Sequence, residues 1–367
     1  MKAAIFKTVG EPIEVFDDVE IIDPRVGEVR VRIKNCSLCH SDLSVVDGSF
    51  PNFGPVILGH EASGIVESVG TGVSHLAVGD HVILTPTPPC GHCYFCQREE
   101  QNLCLNNRSI LTSTLPDGQT GLSHRGESIF RGLGVGGFAE LVVTPATGAI
   151  KIPDDIPLEL ACVIGCAMQT GVGAVLNTAK VEEGATVLVM GLGGVGLAAV
   201  QGARIAGAAT ILVSDPVAER RQIALRVGAT HAIDPFKDNL IKRCMALTNQ
   251  IGMDYAFETA GQATLIETGL QATRMGGTTI CVGAPPLDQG FSINPAVLFS
   301  SCEKKICGCL MGSSNSLFEI PRLIRLWQAG RLDLESMVTA HRPLSEINQA
   351  FGDLKANKGI RTVLSIY

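Results

Sequence analysis

Hydrophobic and polar positions divide the chain into a β-rich first part and a second part in which strands and helices alternate. Apolar and basic residues alternate strictly over residues 29–34, which is the pattern of a half-buried strand. Residues 64–70 and 79–84 have the composition of two more short strands, each bounded by turn residues. The pattern therefore predicts antiparallel β structure up to the proline-containing stretch 144–157.

After that stretch, short apolar segments alternate with helical patterns, which is typical of a parallel sheet covered by helices on both faces. Helices are predicted from the glycines after residue 190 to about Ala206, and again over 217–227. The predicted strands of this part are 187–190, 210–214, 230–233, 254–257 and 278–282.

One more helix and one more strand are predicted near the end of the chain. The strand covers residues 362–366. Pro321 opposes the helix unless it lies in the first turn, because proline lacks the N–H that a helix interior needs. The apolar residues that share one face of this helix are Leu317, Ile320, Leu323, Ile324 and Trp327.

Composition and charge exclude several classes of partner. The formal net charge is −7, and no Lys/Arg cluster is present to attract nucleic acid or an anionic membrane. The most apolar run, residues 186–201, is interrupted by glycines and is too short for a membrane span. Residues 1–7 lack the long apolar stretch of a secretory signal. We therefore expect a soluble, cytoplasmic protein with neither a nucleic-acid nor a membrane partner.

A glycine-rich turn follows the first strand of the alternating part and opens a helix. Residues 191–196 are Gly-Leu-Gly-Gly-Val-Gly, and this context makes the G-x-G-x-x-G motif specific for a dinucleotide. The glycines allow a tight turn, and the helix N-terminus offers N–H groups to a pyrophosphate. The alternative is a turn that binds nothing. The candidate residues of the turn are Gly191, Gly193, Gly194, Val195 and Gly196.

Asp215, at the end of the second strand of this part, distinguishes between the two nicotinamide dinucleotides. A carboxylate there accepts hydrogen bonds from ribose hydroxyls and repels a 2′-phosphate, which favours NAD over NADP. Arg220 and Arg221 follow closely and keep NADP as the alternative.

Thirteen cysteines are the most informative feature of the composition. Cys90, Cys93, Cys96 and Cys104 have the spacing C-x2-C-x2-C-x7-C, and four thiolates complete a tetrahedron around zinc with no open position. The alternatives are disulfides, which an odd cysteine count disfavours, and an iron–sulfur cluster, from whose usual spacing this run departs. We therefore predict a structural zinc site.

Three dispersed segments contain a second set of residue types that bind metals. They are residues 39–42 (Cys-His-Ser-Asp), residues 59–61 (Gly-His-Glu) and residues 165–171, which include Cys166. Spacing alone leaves two interpretations open. The residues are ligands of a second metal, or they are a small buried cysteine and a core histidine.

Taken together, these motifs resemble those of the zinc-dependent medium-chain alcohol dehydrogenases. The resemblance covers essentially the whole chain and includes residues 359–362 (Gly-Ile-Arg-Thr). It implies an α/β fold with a GroES-like, β-rich catalytic domain, residues 1–167 and 311–367, and a zinc lobe at about 88–106. A Rossmann domain with a doubly wound parallel sheet that binds NAD is implied for residues 168–310.

The resemblance also implies a catalytic zinc, so that two zinc ions per chain are expected. Cys39, His60 and Cys166 are the implied ligands, and two cysteines and a histidine with an open fourth position are the known ligand set of catalytic zinc in alcohol dehydrogenase. Asp42 is the implied hydrogen-bond partner of His60. Glu61 is implied to lie behind the metal, and an ordinary buried acid with a partner of its own is the alternative.

Further site residues are implied in the same way. Ser41 contacts the substrate oxygen and takes its proton, whereas Ser44 stands where many relatives carry a histidine that completes the proton relay. Because serine is not a base near neutral pH, the exit of the proton is left open. His40 and Arg361 are the implied partners of the pyrophosphate, and Thr170 is implied to lie beside the nicotinamide.

The substrate and the assembly are expectations of the same kind. Phe50, Leu310 and Met311 match substrate-pocket positions, and their size suggests a medium-sized primary alcohol or aldehyde, aromatic or allylic among them, although core packing explains such residues equally well. A homodimer is expected because residues 105–137 resemble the corresponding segment of dimeric members.

Three alternative functions fit these residues less well. Arg108 matches a basic position of the glutathione-dependent formaldehyde dehydrogenases, but Phe50 stands where those enzymes carry an acidic residue. A non-catalytic zinc- and NAD-binding redox sensor would be expected to lose a catalytic ligand, and none is lost here. Zinc-free quinone reductases lack both the cysteine lobe and the ligand set.

Overall fold

Twenty strands and eleven α-helices form within residues 1–366, the part of the chain that this computed structural model describes. The strands are β1 (Ala3–Ile5), β2 (Glu14–Phe16), β3 (Glu20–Ile21), β4 (Glu28–Ser37), β5 (Val56–Ile57), β6 (Glu61–Val69), β7 (His81–Leu84), β8 (Leu122–His124), β9 (Glu127–Ser128), β10 (Phe130–Arg131), β11 (Leu141–Pro145), β12 (Ala149–Lys151), β13 (Thr186–Met190), β14 (Thr210–Ser214), β15 (His231–Ile233), β16 (Met253–Glu258), β17 (Thr273–Cys281), β18 (Lys305–Gly308), β19 (Val338–Pro343) and β20 (Arg361–Ser365). The helices are α1 (His40–Val46), α2 (Arg108–Thr112), α3 (Leu158–Ala161), α4 (Ala167–Gly173), α5 (Gly194–Ala206), α6 (Ala218–Val227), α7 (Leu240–Leu247), α8 (Ala263–Ala272), α9 (Ala296–Ser301), α10 (Ser316–Gln328) and α11 (Ile347–Lys355).

These elements belong to two units. The first unit contains residues 1–167, 315–325 and the chain from 337 onward, and the second unit contains residues 168–314 and 326–336. Relative to the division implied by resemblance, residues 311–314 and 326–336 lie in the second unit. Hydrogen bonds within that unit explain the difference: the Asn177 side chain donates to the Gly312 carbonyl at 3.3 Å, and the Gln201 side chain accepts from the Asp333 N–H at 2.7 Å.

The first unit is built around a seven-stranded sheet. Its order is β12-β7-β6-β4-β20-β19, and β11 pairs with β4. The predicted alternation is confirmed in β4, where Val29, Val31 and Ile33 are fully buried and the arginines between them are half-buried. Within this sheet the strand pairs are antiparallel as predicted, except that β19 and β20 run parallel. Outside this sheet, β5 and β10 of the same unit also pair in parallel.

Strand register brings three distant segments to one edge of this sheet. Ser37, the last residue of β4, lies opposite Glu61, the first residue of β6. Val363 of β20 lies opposite Ser37 on the other side. The segments that follow β4, precede β6 and begin β20 therefore meet, although they are far apart in sequence.

The second unit contains a sheet of six parallel strands in the order β15-β14-β13-β16-β17-β18. The α/β class is therefore confirmed, and five of the strands lie where the pattern predicts them. From β13 the chain builds outward through β14 and β15, and then returns to build through β16, β17 and β18 on the other side. The carboxyl end of β13 lies at this reversal, where open α/β sheets bind their ligands.

The helices differ from expectation in one place. Pro321 lies in the second turn of α10, not the first, and the helix continues through it. Ile320, Leu323 and Ile324 are buried as predicted, but Leu317 is 40% exposed, so the apolar face starts one turn later. Within residues 1–366 no single helix is long and apolar enough to cross a membrane. The helical segments 158–165 and 167–179, which are bent relative to each other, reach the necessary length and apolar composition only in combination.

Candidate active site

The four cysteines of the predicted lobe lie around one point. Their sulfur atoms are within 4.8 Å of one another. The Cys93–Cys104 and Cys90–Cys96 sulfur pairs are 3.8 Å and 4.0 Å apart, close to the separation of about 3.8 Å that tetrahedral zinc–sulfur bonds of about 2.3 Å impose. The donor set therefore suits a zinc ion.

The backbone of the lobe is arranged to stabilise thiolates. The N–H groups of Cys90 and Asn106 donate to the sulfur of Cys104 at 3.2 Å and 3.4 Å, and the N–H of Cys93 donates to Cys90 at 3.3 Å. Hydrogen bonds from backbone N–H groups lower the pKa of Cys93 to about 6, whereas burial raises the pKa of Cys104 to about 12. A cation among the four sulfurs removes this difference, because a coordinating thiol is deprotonated.

A second group of potential ligands lies within the first unit. One ligand atom from each of Cys39, His60, Glu61 and Cys166 lies within 4.8 Å of the others, and all four residues are buried. Cys39 caps α1, His60 precedes β6, and Cys166 lies between α3 and α4. Three segments that spacing could not connect are thus joined, and two sulfurs with one imidazole nitrogen are donors that suit zinc.

Gly59 makes the approach of His60 possible. Its φ of +89° is unfavourable for other residues, and a Cβ at this position would lie 2.7 Å from the ring of Phe138 and 2.8 Å from the sulfur of Cys36. The chain can therefore turn tightly into β6 only with glycine here.

Asp42 fixes the orientation of this group. Its Oδ1 lies 3.2 Å from Nδ1 of His60 and accepts from the N–H of Gly59 at 3.0 Å, while Oδ2 accepts from the N–H of Cys39 at 3.1 Å. Asp42 is fully buried. Because Nδ1 of His60 faces the carboxylate, Nε2 is the nitrogen left for a metal.

Glu61 and Arg361 form a buried pair beside the cysteines. Nε and Nη2 of Arg361 donate to the two oxygens of Glu61 at 3.0 Å and 2.9 Å, and Nη2 lies 3.5 Å from the sulfur of Cys39. Burial raises the pKa of Glu61 to about 7, and the charge of Arg361 opposes that rise. Although burial disfavours a charged guanidinium, Glu61 and Cys39 raise the pKa of Arg361.

This pairing was not visible in the sequence, since the two residues are 300 positions apart. Arg361 is thus a charged partner for Glu61. Such a partner is what the alternative interpretation, in which Glu61 is an ordinary buried acid, requires. The pyrophosphate contact implied for Arg361 stays a prediction. The contacts observed for its guanidinium are with Glu61 and Cys39.

The other polar residues of α1 have different environments. His40 is exposed, Ser41 is half-buried and Ser44 is buried. The hydroxyl of Ser44 donates to the carbonyl of His40 at 3.1 Å, within its own helix. Ser44 therefore uses its proton locally and has no basic group to offer a relay.

The glycine-rich turn of the second unit has the geometry of a dinucleotide cradle. Gly191 has a φ of +91°, and Gly193 caps α5, which begins with Gly194-Val195-Gly196. A Cβ on Gly196 would collide with the carbonyl of Gly191, whereas one on Gly193 would meet nothing within 4 Å. The turn is closed on the protein side and open at Gly193, where a pyrophosphate can approach the helix N-terminus.

Asp215 is placed against this turn. Its Oδ2 accepts from the N–H of Leu192 at 2.7 Å, and Oδ1 accepts from the N–H of Val217 at 2.8 Å. Asp215 is 3% exposed. Arg221 pairs with Asp234 at 3.4 Å, and Arg220 is half-buried. The carboxylate is therefore held by the turn itself, beside the place where a ribose would follow the pyrophosphate.

Within the second unit, the implied nicotinamide residue Thr170 contacts one of the implied substrate-pocket residues. The hydroxyl of Thr170 donates to the sulfur of Met311 at 3.7 Å, and Met311 is buried. Leu310, next to it, is 43% exposed. In the first unit, Phe50 is half-buried and packs against the hydrophobic core.

Comparison with known proteins agrees with this arrangement. The chain matches a family model described as alcohol dehydrogenase GroES-like domain over residues 25–154, and one described as zinc-binding dehydrogenase over residues 194–326. These ranges include both cysteine groups except Cys166, as well as the helix that opens with Gly194.

Solved structures match over nearly the full length. An alcohol dehydrogenase zinc-binding domain protein from Burkholderia ambifaria is 36% identical, with a TM-score of 0.93 and coverage of 99% of this chain and 98% of its own. Benzyl alcohol dehydrogenase from Acinetobacter calcoaceticus is 30% identical, with a TM-score of 0.93 and coverage of 100% and 99%. A protein from Sinorhizobium meliloti, described as a zinc-binding dehydrogenase bound to NADP, is 28% identical, with a TM-score of 0.81 and coverage of 99% and 98%.

Proposed function

We propose that this chain, which belongs to the zinc-binding alcohol dehydrogenases of the medium-chain dehydrogenase/reductase family, reversibly oxidises a primary alcohol to an aldehyde with NAD as the hydride acceptor. Membership of the family makes it an oxidoreductase of the zinc-dependent type. The observation that carries the finer proposal is the buried group of Cys39, His60 and Cys166, in which Asp42 orients the ring of His60.

When bound, zinc supplies Lewis acidity toward the alcohol oxygen, and a nicotinamide dinucleotide supplies the hydride acceptor. Cys39, His60 and Cys166 would hold the zinc ion. Arg361 engages both oxygens of Glu61, and this leaves three protein ligands and one open position for the substrate. An open position is what distinguishes a catalytic zinc site from a closed one.

Ser41 is the proposed acceptor of the alcohol proton. It is half-buried in the first turn of α1, directly after His40 and two residues after Cys39. Ser44 cannot pass the proton on, because its hydroxyl is bonded within the helix. The proton therefore leaves Ser41 through water or another group, not through a side chain at position 44.

The lobe of four cysteines is proposed to hold a structural zinc, because its four sulfurs leave no position for a substrate. Free thiolates that bind zinc require a reducing compartment, and this supports a cytoplasmic location.

Substrate choice is tested with the purified, zinc-loaded enzyme and a panel of aliphatic, benzylic and allylic primary alcohols, followed by absorbance of the reduced dinucleotide. We expect the highest kcat/KM for benzylic or allylic alcohols, since Phe50 is a large apolar residue and the benzyl alcohol dehydrogenase relative has a similar fold. Reduction of neither NAD nor NADP by any alcohol would overturn the proposal. Stimulation of formaldehyde oxidation by glutathione would favour the formaldehyde dehydrogenase alternative.

The preference for NAD is tested at Asp215. Asp215→Ala should weaken NAD and narrow its advantage over NADP, because it removes the carboxylate that accepts from ribose and repels a 2′-phosphate. The Sinorhizobium relative bound to NADP makes this comparison necessary. An unchanged ratio of kcat/KM for the two dinucleotides contradicts the assignment of Asp215 to the ribose.

A homodimer is proposed for the assembly. Edge strand β18 offers unpaired backbone groups, and α9, which precedes it along the chain, has no buried residue, with Val297 at 68% and Leu298 at 54% exposure. A second copy would cover both. Light scattering of the purified protein should give twice the chain mass, and a monomer at micromolar concentration would contradict the proposal.

A further inference from the structure

Glu258 is a fully buried carboxylate at the carboxyl end of β16 that none of the roles above uses. Its register partner on the neighbouring strand is Met190, the residue directly before the glycine-rich turn. Glu258 therefore lies at the edge of the sheet where the proposed dinucleotide site begins. A buried acid without a cationic partner is costly unless hydrogen bonds compensate it, so its contacts require an explanation.

One oxygen of Glu258 organises the loop that follows. Oε1 accepts from the N–H groups of Ala260 at 2.7 Å, Gly261 at 2.8 Å and Gln262 at 3.3 Å. Three consecutive N–H groups converging on one oxygen hold residues 259–262 in one compact shape. The main-chain carbonyl of Glu258 in addition accepts from Val282 and Gly283, both at 2.9 Å, which fixes the start of the loop.

The loop in turn holds the glycine turn. The hydroxyl of Thr259 donates to the carbonyls of Met190 at 3.0 Å and Gly191 at 2.8 Å. A Cβ on Gly191 would lie 2.8 Å from that of Ala260, so the two backbones are in direct contact. The same hydroxyl would lie 2.8 Å from a Cβ on Gly196, at the far end of the turn.

The second oxygen of Glu258 is used differently. Oε2 is buried, lies beside Gly283, where a Cβ would be 2.6 Å from it, and makes no hydrogen bond of normal geometry. The side-chain hydrogen bonds of normal geometry are therefore all made by Oε1, toward the loop. An amide oxygen can accept the same three bonds, so a glutamine here keeps the shape of the loop while it removes the charge.

We propose that Glu258 is a positioning residue for the dinucleotide: through the loop 259–262 it holds the glycine turn 191–196 in its binding shape before the cofactor arrives. Binding then requires no ordering of the turn. The apparent affinity for the dinucleotide is proportional to the fraction of molecules whose turn already has the binding shape, so a larger fraction gives a higher affinity. The inference rests on the proposed dinucleotide site, and it assigns Glu258 and Thr259 a role that involves no contact with the reacting atoms.

The test uses the zinc-loaded, full-length enzyme with four variants, namely Glu258→Ala, Glu258→Gln, Thr259→Val and Thr259→Ser. Dissociation constants are measured for NADH by fluorescence and for ADP-ribose by calorimetry, and each variant is checked by thermal unfolding. Glu258→Ala should weaken both ligands about tenfold, as expected if the competent shape becomes about ten times rarer. Glu258→Gln should restore affinity to within about twofold, because the three acceptor bonds remain.

Kinetics separates positioning from general damage. Glu258→Ala should raise KM for NAD while kcat at saturating NAD changes by less than about twofold, since interactions that help ground state and transition state equally appear in KM. Asp254→Asn is the matched control, because Asp254 is a carboxylate clamp near the opposite end of the same strand. It should lower the unfolding temperature without changing either dissociation constant.

Several results would overturn the inference. Affinity for NADH unchanged in Glu258→Ala, or weakened equally in Asp254→Asn, would mean that Glu258 contributes only stability. If Glu258→Ala does not fold, Thr259→Val must weaken NADH while Thr259→Ser does not, and equal affinity in the two overturns the inference. If the unaltered protein binds neither NADH nor NADPH, the proposed function itself is wrong.

Discussion

One buried carboxylate, that of Asp42, organises three groups of the candidate metal centre. It contacts the ring of His60 and accepts from the backbone of Gly59 and Cys39, so both neighbouring ligands are tied to it. The resemblance implied the contact with His60. The contacts with the two backbone N–H groups became visible only in the structure, because they depend on how α1 meets the start of β6.

Asp42→Asn should weaken zinc binding at the catalytic site about 10- to 100-fold, because an amide is a weaker acceptor and its NH₂ group faces an N–H donor at either Cys39 or Gly59. Competition with a chromogenic chelator measures this affinity directly. Asp238→Asn, at an exposed position of the second unit, is the control and should bind zinc as the unaltered protein does. Equal zinc affinity in both variants would contradict the role of Asp42.

At the scale of elements, the parallel sheet is the part that the sequence pattern predicts best. Central strands such as β13 and β14 are buried on both faces, so nearly every position must be apolar. The edge strand β18 was not predicted, because its four residues, Lys-Ile-Cys-Gly, are at most half-buried and need no such pattern. The extension of β17 back to Thr273 was missed for a similar reason, since its first half contains two glycines and an arginine.

A side-chain clamp at the amino end of this sheet makes its stability depend on pH. Asp254 accepts from the N–H and the hydroxyl of Thr186, both at 2.8 Å, and from Arg274 at 2.6 Å. Burial alone would raise the pKa of Asp254, but these hydrogen bonds and the charge of Arg274 lower it below its usual value. Since the folded-state pKa is the lower one, the clamp stabilises fully above about pH 4, the usual range of an unfolded aspartate, and is lost as the pH falls through the folded-state pKa.

Asp254→Asn should therefore lower the free energy of unfolding by about 1 kcal/mol at neutral pH, a modest amount because the charge-assisted bonds are partly exposed. The loss should be smaller in acid, because the carboxyl of Asp254 is then protonated in the unaltered protein as well. Thermal unfolding at several pH values between about 2 and 7, a range that spans the titration of aspartate, measures the difference in stability between the variant and the unaltered protein. A difference that stays constant as the pH falls would show that the ionised carboxylate is not responsible.

At the scale of the whole molecule, the thirteen cysteines divide into two ligand groups and a remainder. The lobe is local, since its four members lie within residues 90–104, and the motif spacing was enough to predict that they meet. The group proposed to be catalytic combines segments from three regions of the first unit. Only the register of β4, β6 and β20 brings Cys39, His60 and Arg361 to one edge of the sheet.

Metal analysis of the purified protein should therefore find about two zinc ions per chain. Substitution of a ligand in one cysteine group should remove the zinc ion of that group only. Cys93→Ala should lose one zinc and lower the unfolding temperature, because a structural zinc contributes folding free energy. Cys166→Ala should lose the other zinc and abolish turnover while the fold remains. Cys302→Ser, outside both groups, is the control and should change neither.

Retention of two zinc ions and of full stability in Cys93→Ala would contradict a structural role for the lobe. Turnover by Cys166→Ala at the rate of the unaltered enzyme would contradict the assignment of Cys166 to the catalytic site.

Local patterns were sufficient for those features that depend on neighbouring residues. Alternation in β4, the apolar strands of the parallel sheet, the strand–turn–helix context of residues 191–196 and the spacing of the lobe cysteines could all be recognised in the sequence, because each reflects a periodicity or a turn within a few residues. Contacts between distant segments could not be recognised. Three examples are the pairing of Glu61 with Arg361, the hydrogen bonds of Asp42 to two backbone N–H groups, and the hydrogen bonds of Glu258 to the loop 259–262. These contacts depend on strand register and burial, which exist only once the sheets have formed.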